Sequence, residues 1–199
     1  MTTAWRACLV GAVSVLLAAP ALAYDPVQVW TRGGWMWSLE GGYGAQFNLE
    51  GKRTLSDIEF AMVGARWSLL PLGITGEGAL RGALEVGLGP IYLHYTEPTG
   101  AYYAGAAALG RYHFLSLGRF VPYLELGAAA GGTSLKVIEI DSNFSFLLLG
   151  GAGASYLLND TYAVYAGYRW THNSNGNIDT PNRGWEANTG VVGLTIFLR

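Results

Sequence analysis

Apolar and polar side chains alternate in eight segments of this chain, with turn-forming clusters such as Glu97-Pro98-Thr99-Gly100 and Asn159-Asp160 between them. A period of two residues is typical of β-strands, because successive side chains point to opposite faces. The sequence therefore predicts eight strands in one all-β domain. They are Trp35–Asn48, Asp57–Leu70, Ala79–Tyr95, Ala101–Phe114, Phe120–Thr133, Asn143–Leu157, Thr161–His172 and Glu186–Leu198.

The composition decides what kind of β-protein this is. Hydrophobic residues make up 51% of the chain and charged residues 13%, yet no run beyond residue 23 approaches the roughly 20 apolar residues of a membrane-spanning helix. A membrane protein without such helices must close its strands into a barrel, so that every backbone polar group is paired. We expect an eight-stranded antiparallel transmembrane β-barrel. The alternative, a soluble lipocalin-type barrel, would carry its apolar side chains inside and more charges outside.

The alternation also predicts which side chains face lipid. In the seventh segment Tyr162, Tyr168 and Trp170 share one face, and Arg169 lies on the other. The apolar face should meet lipid, and the polar face should fill the interior of a small barrel. The charged residues expected inside are Glu40, Arg81, Glu85, Arg111, Glu125 and Arg169. The second and fourth segments alternate less cleanly. Met62 and Arg66 of the second are in phase, which suggests a β-bulge or a strand that ends early.

The first 23 residues have the pattern of a secretory signal peptide. Arg6 precedes the apolar run Cys8–Leu17, and Ala21-Leu22-Ala23 forms an A-x-A cleavage site. We place cleavage after Ala23 and the barrel domain at residues 24–199. Cys8 is the sole cysteine, so the exported domain would have neither a disulfide nor a thiol nucleophile. The formal net charge of −2 gives no support to nucleic-acid binding.

Three polar residues near the C-terminal end of the chain break the lipid-facing pattern. His172 and Ser174 continue the outward phase of the seventh strand, and Glu186 is in phase with the outward residues of the eighth. An isolated polar group is poorly solvated on a lipid-facing surface, so such a cluster points to function. Residues 161–172 span about 28 Å along the membrane normal, at roughly 3.3 Å per residue and a tilt of about 40°. With the N-terminus in the periplasm, the cluster would lie at the outer-leaflet side.

These three residue types are the parts of an activated-serine hydrolase. A serine hydroxyl is a weak nucleophile unless a base takes its proton, and an imidazole can act as that base near neutral pH. A carboxylate such as Glu186 would then orient the imidazole and stabilise its charged form. The oxyanion needs hydrogen-bond donors, and the local candidates are Asn182, Asn175 and the backbone amides around Gly176 and Asn177.

The same stretch resembles a known enzyme family. His172-Asn173-Ser174-Asn175, Pro181-Asn182-x-Gly184 and Glu186 are similar to the outer-membrane lipid A 3-O-deacylases (PagL, acyloxyacyl hydrolase-like). The resemblance implies that His172, Ser174 and Glu186 form the catalytic triad and that Asn182 belongs to the oxyanion hole. It also implies hydrolysis of the ester-linked 3-hydroxyacyl chain at the 3-position of lipid A, without a metal or cofactor, on the outside of the barrel.

Two other functions fit the same scaffold. One is a non-enzymatic outer-membrane barrel, an adhesin or membrane-stabilising protein, which has no reason to place three reactive groups against lipid. The other is a different lipid esterase at this surface, such as a phospholipase. The expected partners are lipopolysaccharide as substrate and the outer membrane as environment, with no nucleic acid, and a homodimer is left open.

Overall fold

The computed structural model of this chain describes residues 24–47 and 55–198. The predicted leader, residues 1–23, and the predicted end of the first strand at Asn48 lie outside the described residues. The part described contains a short helix α1 (Pro26–Val29), a 3₁₀ turn (Gly78–Leu80) and eleven strands. In that part, neither helix has the length and apolar character needed to traverse a bilayer.

Eight long antiparallel strands close into a barrel. They are β1 (Trp35–Phe47), β2 (Glu59–Leu69), β4 (Gly82–Glu97), β5 (Ala101–Phe114), β6 (Phe120–Thr133), β9 (Phe144–Leu157), β10 (Tyr162–Ser174) and β11 (Trp185–Leu198). Their order is β2-β1-β11-β10-β9-β6-β5-β4, and pairing of β2 with β4 completes the circle. The predicted eight-stranded barrel is confirmed.

Three shorter strands lie outside the circle of eight. β3 (Ile74–Thr75) pairs with the start of β4, and β7 (Lys136–Val137) and β8 (Ile140–Asp141) form a small hairpin between β6 and β9. The sequence pattern does not reveal this hairpin, because two residues are too few to show alternation. β10 also runs two residues beyond its predicted end and reaches Ser174.

The outside of the barrel is apolar. Leu39, Leu126 and Val192 are 64%, 74% and 62% exposed. Exposed large apolar or aromatic side chains recur on each of the eight long strands, and on β5 the exposed Tyr102 is accompanied by outward-facing alanines. Large apolar patches of this kind are rare on soluble proteins. This exterior is that of a transmembrane barrel and is the reverse of a lipocalin.

The inside of the barrel holds a chain of buried ion pairs. Arg169 contacts Glu40 at 2.6 Å and Glu125 at 2.7 Å, and Arg111 contacts Glu125 at 2.8 Å. Arg66 then bridges Glu40, at 3.6 Å, and Glu85, at 3.0 Å. Three carboxylates are thus matched by three guanidinium groups, as burial of charge requires.

Two predictions about the interior need correction. Arg81 is partly exposed in the turn before β4, so it does not join the ion pairs, and Arg66 does. Met62 and Arg66 are in phase because both face inward, at 4% and 6% exposure, and not because β2 is bulged between them. The register does shift, at Glu59/Phe60, near the start of β2.

The ends of the barrel are filled by apolar side chains. Residues 24–34 enter one end, where Trp30 is 1% exposed and packs on Phe197 with ring centroids 5.3 Å apart. At the other end, Trp185 is 1% exposed and packs among Phe60, Tyr95 and Ile140. The second end carries the connections between β1 and β2, β4 and β5, β6 and β9, and β10 and β11. The first end carries the connections between β2 and β4, β5 and β6, and β9 and β10.

Candidate active site

The predicted residues meet where β10 and β11 approach the end of the barrel that Trp185 fills. His172 on β10 lies directly opposite Glu186 on β11 in the strand register. The Nδ1 atom of His172 and the Oε1 atom of Glu186 are 2.9 Å apart, which is a hydrogen bond. Their side chains are 24% and 23% exposed, so the pair is half-buried and open to the exterior.

Ser174 lies on the same outward face, two residues after His172. The side chains between and beside them, Thr171, Asn173 and Asn175, are buried on the interior side. Among the residues described, Ser174 Oγ makes no hydrogen bond, and His172 Nε2 makes none either. The hydroxyl therefore shares the outward face of β10 with the imidazole but is not bonded to it. Catalytic hydrogen bonds often tighten only when substrate is present.

The chain turns sharply after Ser174. The Ile178 amide donates to the Asn175 carbonyl across 3.3 Å, and the two central residues of this turn, Gly176 and Asn177, both have φ of +64°. Glycine and asparagine tolerate the left-handed region best, which explains their presence in this turn. The turn ends β10 immediately beyond Ser174.

The three candidate asparagines bind one another in this loop. Asn182 Oδ1 accepts a hydrogen bond from the backbone N–H of Asn175 at 2.8 Å, and Asn182 Nδ2 donates to Asn177 Oδ1 at 2.9 Å. Asn175 is fully buried and its Nδ2 donates to the Asp179 carbonyl at 2.9 Å. The second N–H of Asn182 Nδ2 has no partner among the described residues. Asn182 therefore keeps one donor, held in place by the other two asparagines.

Gly184 brings the returning chain against the His172 ring. It has φ of +71°, and a Cβ at this position would lie 2.8 Å from the Asn173 carbonyl oxygen and 3.1 Å from His172 Cε1. Only glycine allows this approach without strain. Two residues later Glu186 reaches the other side of the imidazole, so the close approach helps to fix the pair.

Apolar side chains surround the three residues on the outer surface. The Trp170 and His172 rings are nearly parallel, at 16°, with centroids 5.9 Å apart. On β9, Phe146 and Leu148 lie opposite Ser174 and His172 and are 38% and 50% exposed. A lipid chain on this face would thus contact Ser174, His172 and Glu186 directly. The arrangement can activate a hydroxyl against an ester carried by a lipid.

Comparison with known proteins identifies the family. The family model for the lipid A 3-O-deacylases (PagL) matches residues 21–195 of this chain. A search of the curated proteins finds no significant match.

Among solved structures, the fold is similar to that of the outer membrane enzyme PagL, with a TM-score of 0.61 and 20% identity over 78% of this chain and 97% of that chain. It is also similar to Neisserial surface protein A (NspA), with a TM-score of 0.54 and 16% identity over 81% of this chain and 96% of that chain. At these identities the structures support the barrel fold alone.

Proposed function

Because the chain belongs to the lipid A 3-O-deacylase (PagL) family, we propose that it hydrolyses the ester-linked 3-hydroxyacyl chain at the 3-position of lipid A. The chain is an outer-membrane β-barrel, and its family is a family of hydrolases that act on lipid A. The observation that carries the finer proposal is the His172–Glu186 hydrogen bond on the lipid-facing surface, next to the outward hydroxyl of Ser174.

Each residue has a defined role in the proposed reaction. Ser174 Oγ attacks the ester carbonyl while His172 Nε2 takes its proton, and Glu186 holds the imidazole through Nδ1. The resulting imidazolium then gives its proton to the departing 3-oxygen of the sugar. Water, deprotonated by the same imidazole, attacks the acyl-serine, and the imidazolium returns the proton to Ser174 Oγ as the free 3-hydroxy fatty acid leaves.

Asn182 is the proposed oxyanion donor. The negative charge on the carbonyl oxygen in the transition state is stabilised by donors that are already oriented. Asn182 meets this condition, because its amide is fixed by Asn175 and Asn177 and keeps one N–H for the substrate. Asn175 and Asn177 thereby contribute to the oxyanion site through their hold on Asn182.

The position of the site fits a substrate in the outer leaflet. We propose that residues 24–34 mark the periplasmic end, which places the connection between β10 and β11 at the cell surface. Lipid A is the lipid anchor of lipopolysaccharide, so its ester groups would lie at the depth of this rim. The partly exposed pair of His172 and Glu186 faces outward at this level. An ester can therefore reach the pair without entering the barrel.

Mass spectrometry of lipid A tests the proposal. Cells whose lipid A carries the 3-linked chain should, on expressing this protein, lose the mass of one 3-hydroxyacyl group and release the matching free acid. A phospholipase would instead cleave glycerophospholipids and leave lipid A unchanged. Unaltered lipid A in cells with a correctly folded barrel would contradict the deacylase assignment.

A further inference from the structure

An acidic side chain is buried at the tip of the β7–β8 hairpin, away from the candidate triad. Glu139 is 2% exposed, whereas the adjacent Ile138 is 47% exposed. Carboxylates are rarely buried to this extent unless they are fully hydrogen-bonded. The contacts of Glu139 therefore indicate what this residue holds together.

The carboxylate of Glu139 binds the connection between β1 and β2. Its Oε1 accepts from the Ser56 amide at 2.9 Å and from Gln46 Nε2 at 3.0 Å, and its Oε2 accepts from Ser56 Oγ at 2.7 Å. Gln46 is fixed in turn, because its Oε1 accepts from the Ile58 amide at 3.0 Å. Within residues 24–47 and 55–198, the donors to the Glu139 carboxylate are these three neutral groups, and both of its oxygens accept.

The main chain of the same hairpin binds the segment that leads to Glu186. The Glu139 carbonyl accepts from the amides of Arg183, at 2.8 Å, and Gly184, at 3.1 Å. One residue further, Ile140 bridges to Asn182, and the Asp141 amide donates to the Pro181 carbonyl at 3.3 Å. The hairpin is thus joined to residues 181–184 by main-chain hydrogen bonds and one isolated β-bridge.

This segment contacts the proposed catalytic groups. Asn182 is the proposed oxyanion donor, Gly184 lies against the His172 ring, and Glu186 follows two residues later. Glu139 therefore connects the β1–β2 side of the rim to the loop that positions all three. Errors of about 1 Å in such positioning lower catalytic rates by about a hundredfold.

We propose that Glu139 is a positioning residue for the deacylation reaction, which holds residues 181–184 in register with His172 by anchoring the β7–β8 hairpin to Ser56 and Gln46. This inference rests on the proposed function. Glu139 is buried and lies away from the lipid-facing surface, so it acts on the turnover rate and not on the binding of lipid.

The test compares Glu139→Gln with the matched control Asp141→Asn. Glutamine has nearly the same shape as glutamate, but an NH₂ donor replaces one of the two acceptor oxygens. That NH₂ group would face a donor of Ser56 or Gln46, so a hydrogen bond is lost. Asp141 is on the same hairpin, and its carboxylate forms a surface ion pair with Lys136. We expect Glu139→Gln to lower kcat about 10- to 100-fold with KM within twofold of the wild type, and Asp141→Asn to leave both constants within twofold.

Two further measurements separate positioning from general stability. The rate at which a small organophosphonate inactivates Ser174 reports activation of the hydroxyl without lipid recognition, and it should fall in parallel with kcat. Ser56→Ala removes one of the same hydrogen bonds by a milder change, so it should lower kcat severalfold and add little to the effect of Glu139→Gln. Heat-modifiable migration on a gel establishes that each barrel has folded.

The outcomes distinguish this inference from the function on which it rests. If the wild type deacylates lipid A but folded Ser56→Ala and Glu139→Gln barrels keep the wild-type kcat and inactivation rate, Glu139 does not position the site. A rise in KM at constant kcat would also overturn the inference. If the wild type itself releases no 3-hydroxy fatty acid, the proposed function has failed.

Discussion

At the scale of single residues, the imidazole of His172 links the other parts of the site. Its Nδ1 is bonded to Glu186, and its Cε1 and Nε2 atoms face Gly184. Water can in part replace the Glu186 carboxylate in orienting the imidazole, whereas it cannot replace His172 as the base. The two partners should therefore differ in how much activity depends on them.

We expect His172→Ala to lower kcat by at least about 10³-fold and Glu186→Ala to lower it by only about 10²-fold, because removing the orienting acid of a triad costs less than removing its base or nucleophile. The measurement is the rate of 3-hydroxy fatty acid release by purified barrels in micelles that contain lipopolysaccharide. Ile178→Ala, in the exposed loop after Ser174, serves as the folded control. A Glu186→Ala loss that exceeds that of His172→Ala would contradict the assigned roles.

The sequence was sufficient to predict which residues of the candidate site face outward, but not the contacts that support them. His172, Ser174 and Glu186 stood out because each is polar at a position where the strand phase requires a lipid-facing side chain. Glu139 gave no such signal. Its neighbours Ile138 and Ile140 fit an ordinary strand, and its partners Gln46 and Ser56 are more than 80 residues away, so only the folded barrel reveals the contact.

At the scale of the strands, alternation predicted β5 and β6 to the residue, because their turns are marked by glycine, proline or a break in phase. β2 was harder to interpret, since a small barrel packs apolar Met62 and charged Arg66 on the same inner face. Polarity alone cannot tell interior from lipid-facing side chains where the interior contains both apolar and charged residues. The phase is clearer on strands such as β11, where the outward residues are large and apolar.

The lipid-facing phase of β11 can be tested with a charge. Val192 and Ile178 are 62% and 60% exposed, but Val192 lies within the apolar belt and Ile178 in the loop outside it. Val192→Arg should lower the free energy of unfolding in lipid vesicles by about 2–4 kcal/mol, the cost of arginine near the bilayer midplane, and Ile178→Arg should lower it by less than about 1 kcal/mol. Equal effects would contradict the placement of the belt.

At the scale of the whole molecule, the interior ion pairs join most strands of the barrel. Arg169 on β10 binds Glu40 on β1 and Glu125 on β6, and Arg66 on β2 links Glu40 to Glu85 on β4. The sequence predicted charges inside, but not their partners, because strand phase gives the face of a residue and not its height. Arg81 was included wrongly for that reason, since it precedes β4 and stays outside the network.

Loss of one member of this network should be costly. Arg169→Met leaves Glu40 and Glu125 short of a partner in the interior, and we expect a loss of about 3–5 kcal/mol in the free energy of unfolding. Lys136→Met breaks the exposed ion pair with Asp141 and should cost less than about 1 kcal/mol. Urea unfolding in lipid vesicles measures both. If Arg169→Met matched Lys136→Met, the interior pairs would not contribute to stability as described.

The proposed deacylation of lipid A depends on Ser174 as the nucleophile. Ser174→Ala removes one partly exposed hydroxyl that makes no hydrogen bond among the described residues. The free energy of unfolding should therefore change by no more than about 0.5 kcal/mol. The decisive measurement is release of 3-hydroxy fatty acid from lipid A, by mass spectrometry, for purified wild-type and Ser174→Ala barrels that both show heat-modifiable migration. We expect the rate of the variant to be lower than that of the wild type by at least about 10³-fold. A folded Ser174→Ala barrel that still cleaves the 3-linked chain at the wild-type rate would contradict this expectation.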